Sequence, residues 1–403
     1  MDHKLSHIAA FVAAALLSSA CIYQYHVDIE RSGEYPLVVE GDIHVGGTSV
    51  VKLSYVAPFK LDNYKVATIF AQGYIESEDG SRLDGTPLEG KTFSLWFDTS
   101  QMTPTQRYRL HFETCSKDGT PLNQFESEWL TPCPAPTIDE LTYSKNDKFK
   151  ELWVGLSMHC HGSHYFRWTF RETWEYHSDV PSSIEYVPSH WDEMGREFVE
   201  GYYQKLSPTM YYCWKDVASS SVNLFSTVNQ TEDRFEELAF HTIPLNDKRL
   251  QVLYKITVQL EALSEDAYDY WLNLQQKTHE QGSIFAPVPS EMASNVRCTT
   301  DPSVQVVGYL NAAVPAEASM FYSNELEGFY VPDPPFERGD STIAASNIKA
   351  ANELMRLGYL PYEEIYTTSP TPSDYTWAYS ICIDCRKQGG TKQRPDGWPS
   401  GHY

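Results

Sequence analysis

The chain predicts a mostly β protein. An immunoglobulin-like β-sandwich is expected over residues 35–135, then a larger β-rich domain over 136–403 with one or two packed α-helices. Three observations predict it. Short segments alternate apolar and polar residues with a period of two, the spacing of a strand with one buried and one wet face. Asp79-Gly80, Asp84-Gly85 and Asp118-Gly119 punctuate these segments, because glycine accepts the positive φ of tight turns. Tyr, Phe and Trp number 27, 18 and 10, and such side chains suit a pleated surface.

The strand segments of the first domain are PLVVEGDI, SVVKLSYV, YKVATIFAQGYI, TFSLWFD and RYRLHFET. In the last, Tyr108, Leu110 and Phe112 point one way while Arg107, Arg109, His111 and Glu113 point the other. Pro134-Ala135-Pro136 breaks the pattern and reads as a linker. Beyond it, ELWVGLSM, YFRWTFRETWEY, SVNLFSTV, RLQVLYKITVQLEAL and VQVVGYLNAA read as strands, the span Leu250–Leu263 as a central one. Within YFRWTFRETWEY, Arg167 and Arg171 belong either to satisfied ion pairs in a core or to a partner-facing surface.

Two helices are expected. Near 265–279, Ser264 is placed as the N-cap and Glu265 and Asp266 complement the helix dipole. Ala267, Tyr270, Trp271 and Leu274 make an apolar stripe. Near 343–357, an amphipathic run ends at Gly358.

The amino terminus carries a different message. Lys4 precedes the apolar run Ile8–Leu17, which is too short to span a bilayer and right for the core of a signal peptide. Leu17-Ser18-Ser19-Ala20 then lead into Cys21, the pattern of a lipoprotein signal. The expected division is a signal peptide over 1–20 and a tether over 21–34 lipidated on Cys21. An ordinary secretory cleavage, with Cys21 a plain thiol, is the alternative.

Of the 8 cysteines, lipidation of Cys21 leaves an odd number for an exported chain, so at least one stays unpaired within it. Cys382 and Cys385 form a CxxC that leads into a loop and not a βαβ unit, which argues for structural staples and against redox chemistry. Cys213 and Cys298 are their candidate partners.

The net charge of −23 repels nucleic acid and anionic headgroups, and no basic cluster argues otherwise. The loop His159-Cys160-His161-Gly162-Ser163-His164 is the candidate metal site, with His159, His161 and His164 as ligands. The wide spacing between ligand pairs is missing, so a polar hairpin tip is the competing reading. No nucleophile elbow, HExxH or P-loop occurs, and plentiful acids on a β protein read as solvated surface. No enzyme activity and no cofactor are expected.

With these motifs placed, the chain resembles the Bacteroidetes outer-membrane lipoproteins grouped as domain of unknown function 4249. The segments that carry the resemblance are LVVEGDI, YFRWTFRETWEY, the stretch Ala262–Cys298, VVGYLNAA, and CIDCRKQGGTKQRPDGW at Cys382–Trp398. The resemblance implies a lipid-anchored outer-membrane protein exposed at the cell surface, associated with a TonB-dependent β-barrel or another outer-membrane protein. The expected role is a non-enzymatic accessory subunit that aids capture or passage of a substrate. An outer-membrane assembly component and a surface glycan-binding module using aromatic platforms are the alternatives.

Overall fold

A computed structural model describes residues 36–55, 70–88, 91–116, 119–207, 209–219, 221–280 and 294–402. The signal peptide, Cys21 and the tether lie outside the described residues, as does part of the strand expected from Tyr64. Among the described residues no helix is long and apolar enough to cross a membrane.

The chain is mostly β, with few helices. The first sandwich is built from two five-stranded sheets. One runs in the order 306–307, 37–40, 48–55, 91–98, 86–88, and the other 296–298, 121–127, 108–115, 70–77, 82–84. The expected alternation holds along Tyr108–Cys115, where Tyr108, Leu110 and Phe112 are buried and Arg109, His111 and Glu113 are less so. Phe112 stacks on its cross-strand partner Phe125 with ring centroids 4.8 Å apart. Leu37, Val51, Leu53, Leu95 and Phe97 from one sheet meet Ile75, Leu110 and Phe125 from the other, and this apolar interdigitation holds the sheets together.

The sandwich is not confined to 35–135. Val296–Cys298 pairs with Phe125–Ser127, Val306–Val307 runs parallel to Leu37–Val38, and Ala312–Ala313 runs parallel to Ile43–His44. A parallel pair cannot be closed by a short hairpin, so the chain must travel far before supplying these strands. Local patterning marked them as strands but carried no information about which sheet they join.

The second region packs a sheet of 137–146, 151–159 and 234–244 against one ordered 212–218, 165–177, 253–262, 316–323. Leu253–Ala262 is central, bonded on both sides. Leu152, Val154, Ile243, Tyr254, Ile256 and Val258 fill the space between the sheets. A further core lies where the segment between His177 and Tyr212 returns a hairpin (184–187 with 202–205) onto the sheet 341–344, 374–379, 359–365. Ile184, Tyr186, Ala351, Tyr375 and Trp377 meet there.

Helix α1 spans Glu265–Glu280, and Ser264 Oγ accepts from the Ala267 N–H at 3.2 Å, as an N-cap should. The expected helix at 343–357 begins later. Ser341–Ala344 is a strand, and α2 covers Ile348–Arg356 with Asn347 accepting from the Ala350 N–H. Ladder bonds from Ile343 to Tyr375 override the helical periodicity of the first turn.

Candidate functional site

Two places combine unusual chemistry with a fold that holds it rigidly. The first is the junction of the sandwich and the second region. Gly41 ends the strand Leu37–Glu40 at φ 144°, where a Cβ would stand 2.3 Å from the Val50 carbonyl. Only glycine fits, and the turn it permits delivers Asp42 and His44 toward the neighbouring sheet. Arg167 and Glu261 are cross-strand partners in that sheet. Arg167 Nε donates to Glu261 Oε1 at 2.7 Å, and Nη2 donates to Glu261 Oε1 and to Asp42 Oδ2. The Arg167, Asp42 and Glu261 side chains are nine-tenths or more buried, and His44 about three-quarters.

Burial raises the Asp42 carboxyl, and repulsion from Glu261 adds to this, beyond what Arg167 offsets. Burial pushes Glu261 the same way, but Arg167 and His44 outweigh it and hold that carboxyl below its ordinary range. Burial alone lowers the His44 imidazole; the Glu261 and Asp42 charges raise it on balance. Arg167 is held charged by both acids. Each carboxylate gives one oxygen to Arg167. Of the other oxygens, Glu261 Oε2 pairs with His44 Nε2 at 3.3 Å without a well-aligned hydrogen bond, and Asp42 Oδ1 is buried without a partner.

A cavity of about 480 Å³ adjoins this cluster, lined by Val38, Glu40, Arg167, Tyr270, Trp271 and Tyr309 among others. The Arg167 guanidinium sits 4.6 Å from the Trp271 ring centroid. Trp271 Nε1 is buried without a partner.

The second place is the hairpin His190–Asp192 with Glu197–Val199. Its cross-strand pair Trp191 and Phe198 is 61% and 65% exposed, and Met194 at the turn is 97% exposed. The base is fixed: Asn352 of α2 accepts from the Ser189 N–H and donates to Ser189 Oγ, and Ser189 Oγ accepts from the Gly201 N–H. Asp192 ties the turn by accepting from the Met194 and Gly195 N–H groups. The hairpin is therefore an arm fixed at its base that exposes Trp191, Met194 and Phe198 among charged neighbours.

The expected metal loop does not assemble. His159 Nδ1 faces Asp139, His161 Nε2 faces Thr137 Oγ1 at 2.8 Å, and His164 Nδ1 faces Thr227 Oγ1 at 3.2 Å. Strand alternation turns Cys160 inward beside Leu156 and Met158, where burial pushes its thiol up to about 11. The three imidazoles thus go to three separate partners.

The cysteine expectation is met in part. Cys213 and Cys385 are bonded, with Cα atoms 5.7 Å apart. Cys298 and Cys382 are free. Cys298 lies in the sandwich beside Thr300, and Cys382 is buried in a small core with Val180 and Met210, so neither meets a second thiol.

The segment around the disulfide is a clamp. Asp384 accepts from the Arg386 N–H, Tyr176 OH donates to the Cys385 carbonyl, and Thr391 bridges to Trp214. Trp398 Nε1 donates to the fully buried Glu175. Arg171 lies on the surface with Asp216, whereas Arg167 belongs to the buried cluster.

Sequence reasoning did not single out Asp42, His44 or Glu261. Glu261 continues the polar phase of Lys255, Thr257 and Gln259 along its strand, so alternation alone does not distinguish it.

The family model described as Domain of unknown function (DUF4249) matches residues 22–319. The chain belongs to this family. The matched residues include both halves of the junction cluster and the exposed hairpin, while the segment Cys382–Trp398 lies beyond them. No curated protein matches the chain. Two solved structures overlap it loosely. A cytokine receptor complex is 10% identical, with 71% of this chain and 95% of that one covered, at a TM-score of 0.20. A DUF4785 family protein from Legionella pneumophila is 7% identical, with 56% and 52% covered, also at 0.20. Overlaps of that size carry no argument about fold or role for this DUF4249 member.

Proposed function

We propose that this DUF4249 protein is a lipid-anchored, non-enzymatic accessory subunit of a TonB-dependent outer-membrane barrel, held at the cell surface and aiding capture or passage of a substrate. The observation that carries the reading is the hairpin, hydrogen-bonded at its base, whose Trp191, Met194 and Phe198 face solvent. Exposed aromatic and methionine side chains clustered on one rigid element favour docking to another protein, since these residues are enriched where interfaces bury surface. The sequence before Cys21 supports an acyl anchor. Confinement to the bilayer raises the effective concentration near an integral partner, so a small contact suffices. The net charge of −23 disfavours lying flat on anionic headgroups and suits a body held away from them.

The test is recovery from native membranes in mild detergent. A tagged wild-type chain should bring down a barrel protein in near-stoichiometric yield. The variant Trp191→Ser with Phe198→Ser should lose most of that yield while keeping its melting temperature, because both side chains are solvent-facing. Failure to recover a barrel with the wild type, or unchanged recovery with the variant, contradicts the proposal.

A further inference from the structure

We infer that Asp42, His44 and Glu261 form a binding site for one divalent first-row cation of the Mn²⁺ to Zn²⁺ range, with Arg167 orienting the two carboxylates. Among the described residues, this is the one group of three His, Cys, Asp or Glu side chains whose ligand atoms all lie within 4.8 Å of one another. The ligand types are a hard–borderline mixture, one imidazole nitrogen and two carboxylate oxygens, which suits these metals and disfavours Ca²⁺ or Cu⁺.

The geometry argues for more than an ion pair. Around a tetrahedral metal with bonds of about 2.0–2.2 Å, two ligand atoms stand roughly 3.4 Å apart. His44 Nε2 and Glu261 Oε2 are 3.3 Å apart, yet they are not aligned as a hydrogen bond. Asp42 Oδ1 is buried without a partner. Buried polar atoms are ordinarily hydrogen-bonded, so an unpartnered carboxylate oxygen on a member of so tight a group is an arrangement that a bound cation would explain.

Arg167 does not fill that role. It takes Asp42 Oδ2 and Glu261 Oε1, the opposite oxygen of each carboxylate. Ligating carboxylates characteristically carry such an outer hydrogen bond, which fixes their orientation. Asp42 and His44 come from the sandwich and Glu261 from the neighbouring sheet, so the cation would cross-link the two regions.

The inference is independent of the docking proposal and is tested on the purified full chain after treatment with a chelator. Calorimetric titration with Zn²⁺ should show one site per chain, and Co²⁺ should give the visible absorption of a low-symmetry nitrogen–oxygen site. His44→Gln and Asp42→Asn should each weaken Zn²⁺ at least ten-fold and abolish the Co²⁺ band, while the metal-free His44→Gln chain keeps the wild-type circular dichroism spectrum and a cooperative melt. Zn²⁺ should raise the melting temperature of the wild type and not of His44→Gln. His159→Gln should leave the titration unchanged. Absence of stoichiometric uptake by the wild type overturns the inference, as does uptake that survives His44→Gln or is lost in His159→Gln.

Discussion

Glu172 places a buried charge in the second core. Its Oε1 accepts from Arg249 at 2.7 Å and from Tyr254 OH at 2.9 Å, with His241 Nε2 at 3.1 Å. Burial raises its carboxyl, but His241 and Arg249 outweigh burial and hold it below the ordinary 4.5. A depressed folded value means that this stabilisation is present above the unfolded value and is lost as pH falls through the folded one. Urea denaturation should therefore show stability dropping below about pH 4.5, and Glu172→Gln should flatten that drop. The same variant should cost about 1–3 kcal/mol at neutral pH, since Arg249 is left with Asp247 alone and the Tyr254 hydroxyl loses its charged acceptor. Gly308 makes a steric counterpart. At φ 127°, a Cβ would stand 2.0 Å from the Val39 carbonyl, so Gly308→Ala should separate Val306–Val307 from Leu37–Val38 and cost more than about 1 kcal/mol in the same assay. Residues of this kind are only partly legible in a sequence. ETWEY suggested a core strand with a satisfied ion pair, and Glu172 is such a residue; which cation it meets depends on the loop bearing Arg249, distant in the chain.

Elements were legible where one rule governed them. The period of two found Tyr108–Cys115 and Leu253–Ala262, and the Ser264 cap found the start of α1. Where two rules competed, the local one lost: Ile343 fits a helix stripe, but its ladder to Tyr375 makes it a strand. In the histidine loop the His159 and His161 rings stack 5.9 Å apart but take different hydrogen-bond partners, because proximity in sequence does not aim side chains at one point. The carboxy-terminal clamp shows how a motif becomes structural. Cys385, Thr391 and Trp398 each fasten the same segment to a different residue of the second sheet, namely Cys213, Trp214 and Glu175. Removing the disulfide by Cys385→Ser should cost about 2–4 kcal/mol, because it releases a closed loop of 172 residues. Limited proteolysis should then cut within 386–402 faster than in the wild type. Equal cutting would mean that the remaining hydrogen bonds hold the segment alone.

For the whole molecule, the informative feature is that the chain crosses back. The sandwich is closed by strands from 296–313, so it does not complete itself from the first 135 residues, and the junction cluster lies where the crossing is made. An amino-terminal piece ending at 135 should accordingly fail to show a cooperative thermal transition, whereas the full chain should show one. Against this interlocked body, the hairpin around Met194 exposes three large apolar side chains, Trp191, Met194 and Phe198. What those side chains touch in the cell decides the docking proposal. The most direct measurement is site-specific photo-crosslinking, with a benzophenone side chain placed at Met194 and, as a control, at the similarly exposed Leu326. The account predicts an adduct with an outer-membrane barrel from position 194 and none from 326. No adduct at 194, or equal adducts at both, would contradict it.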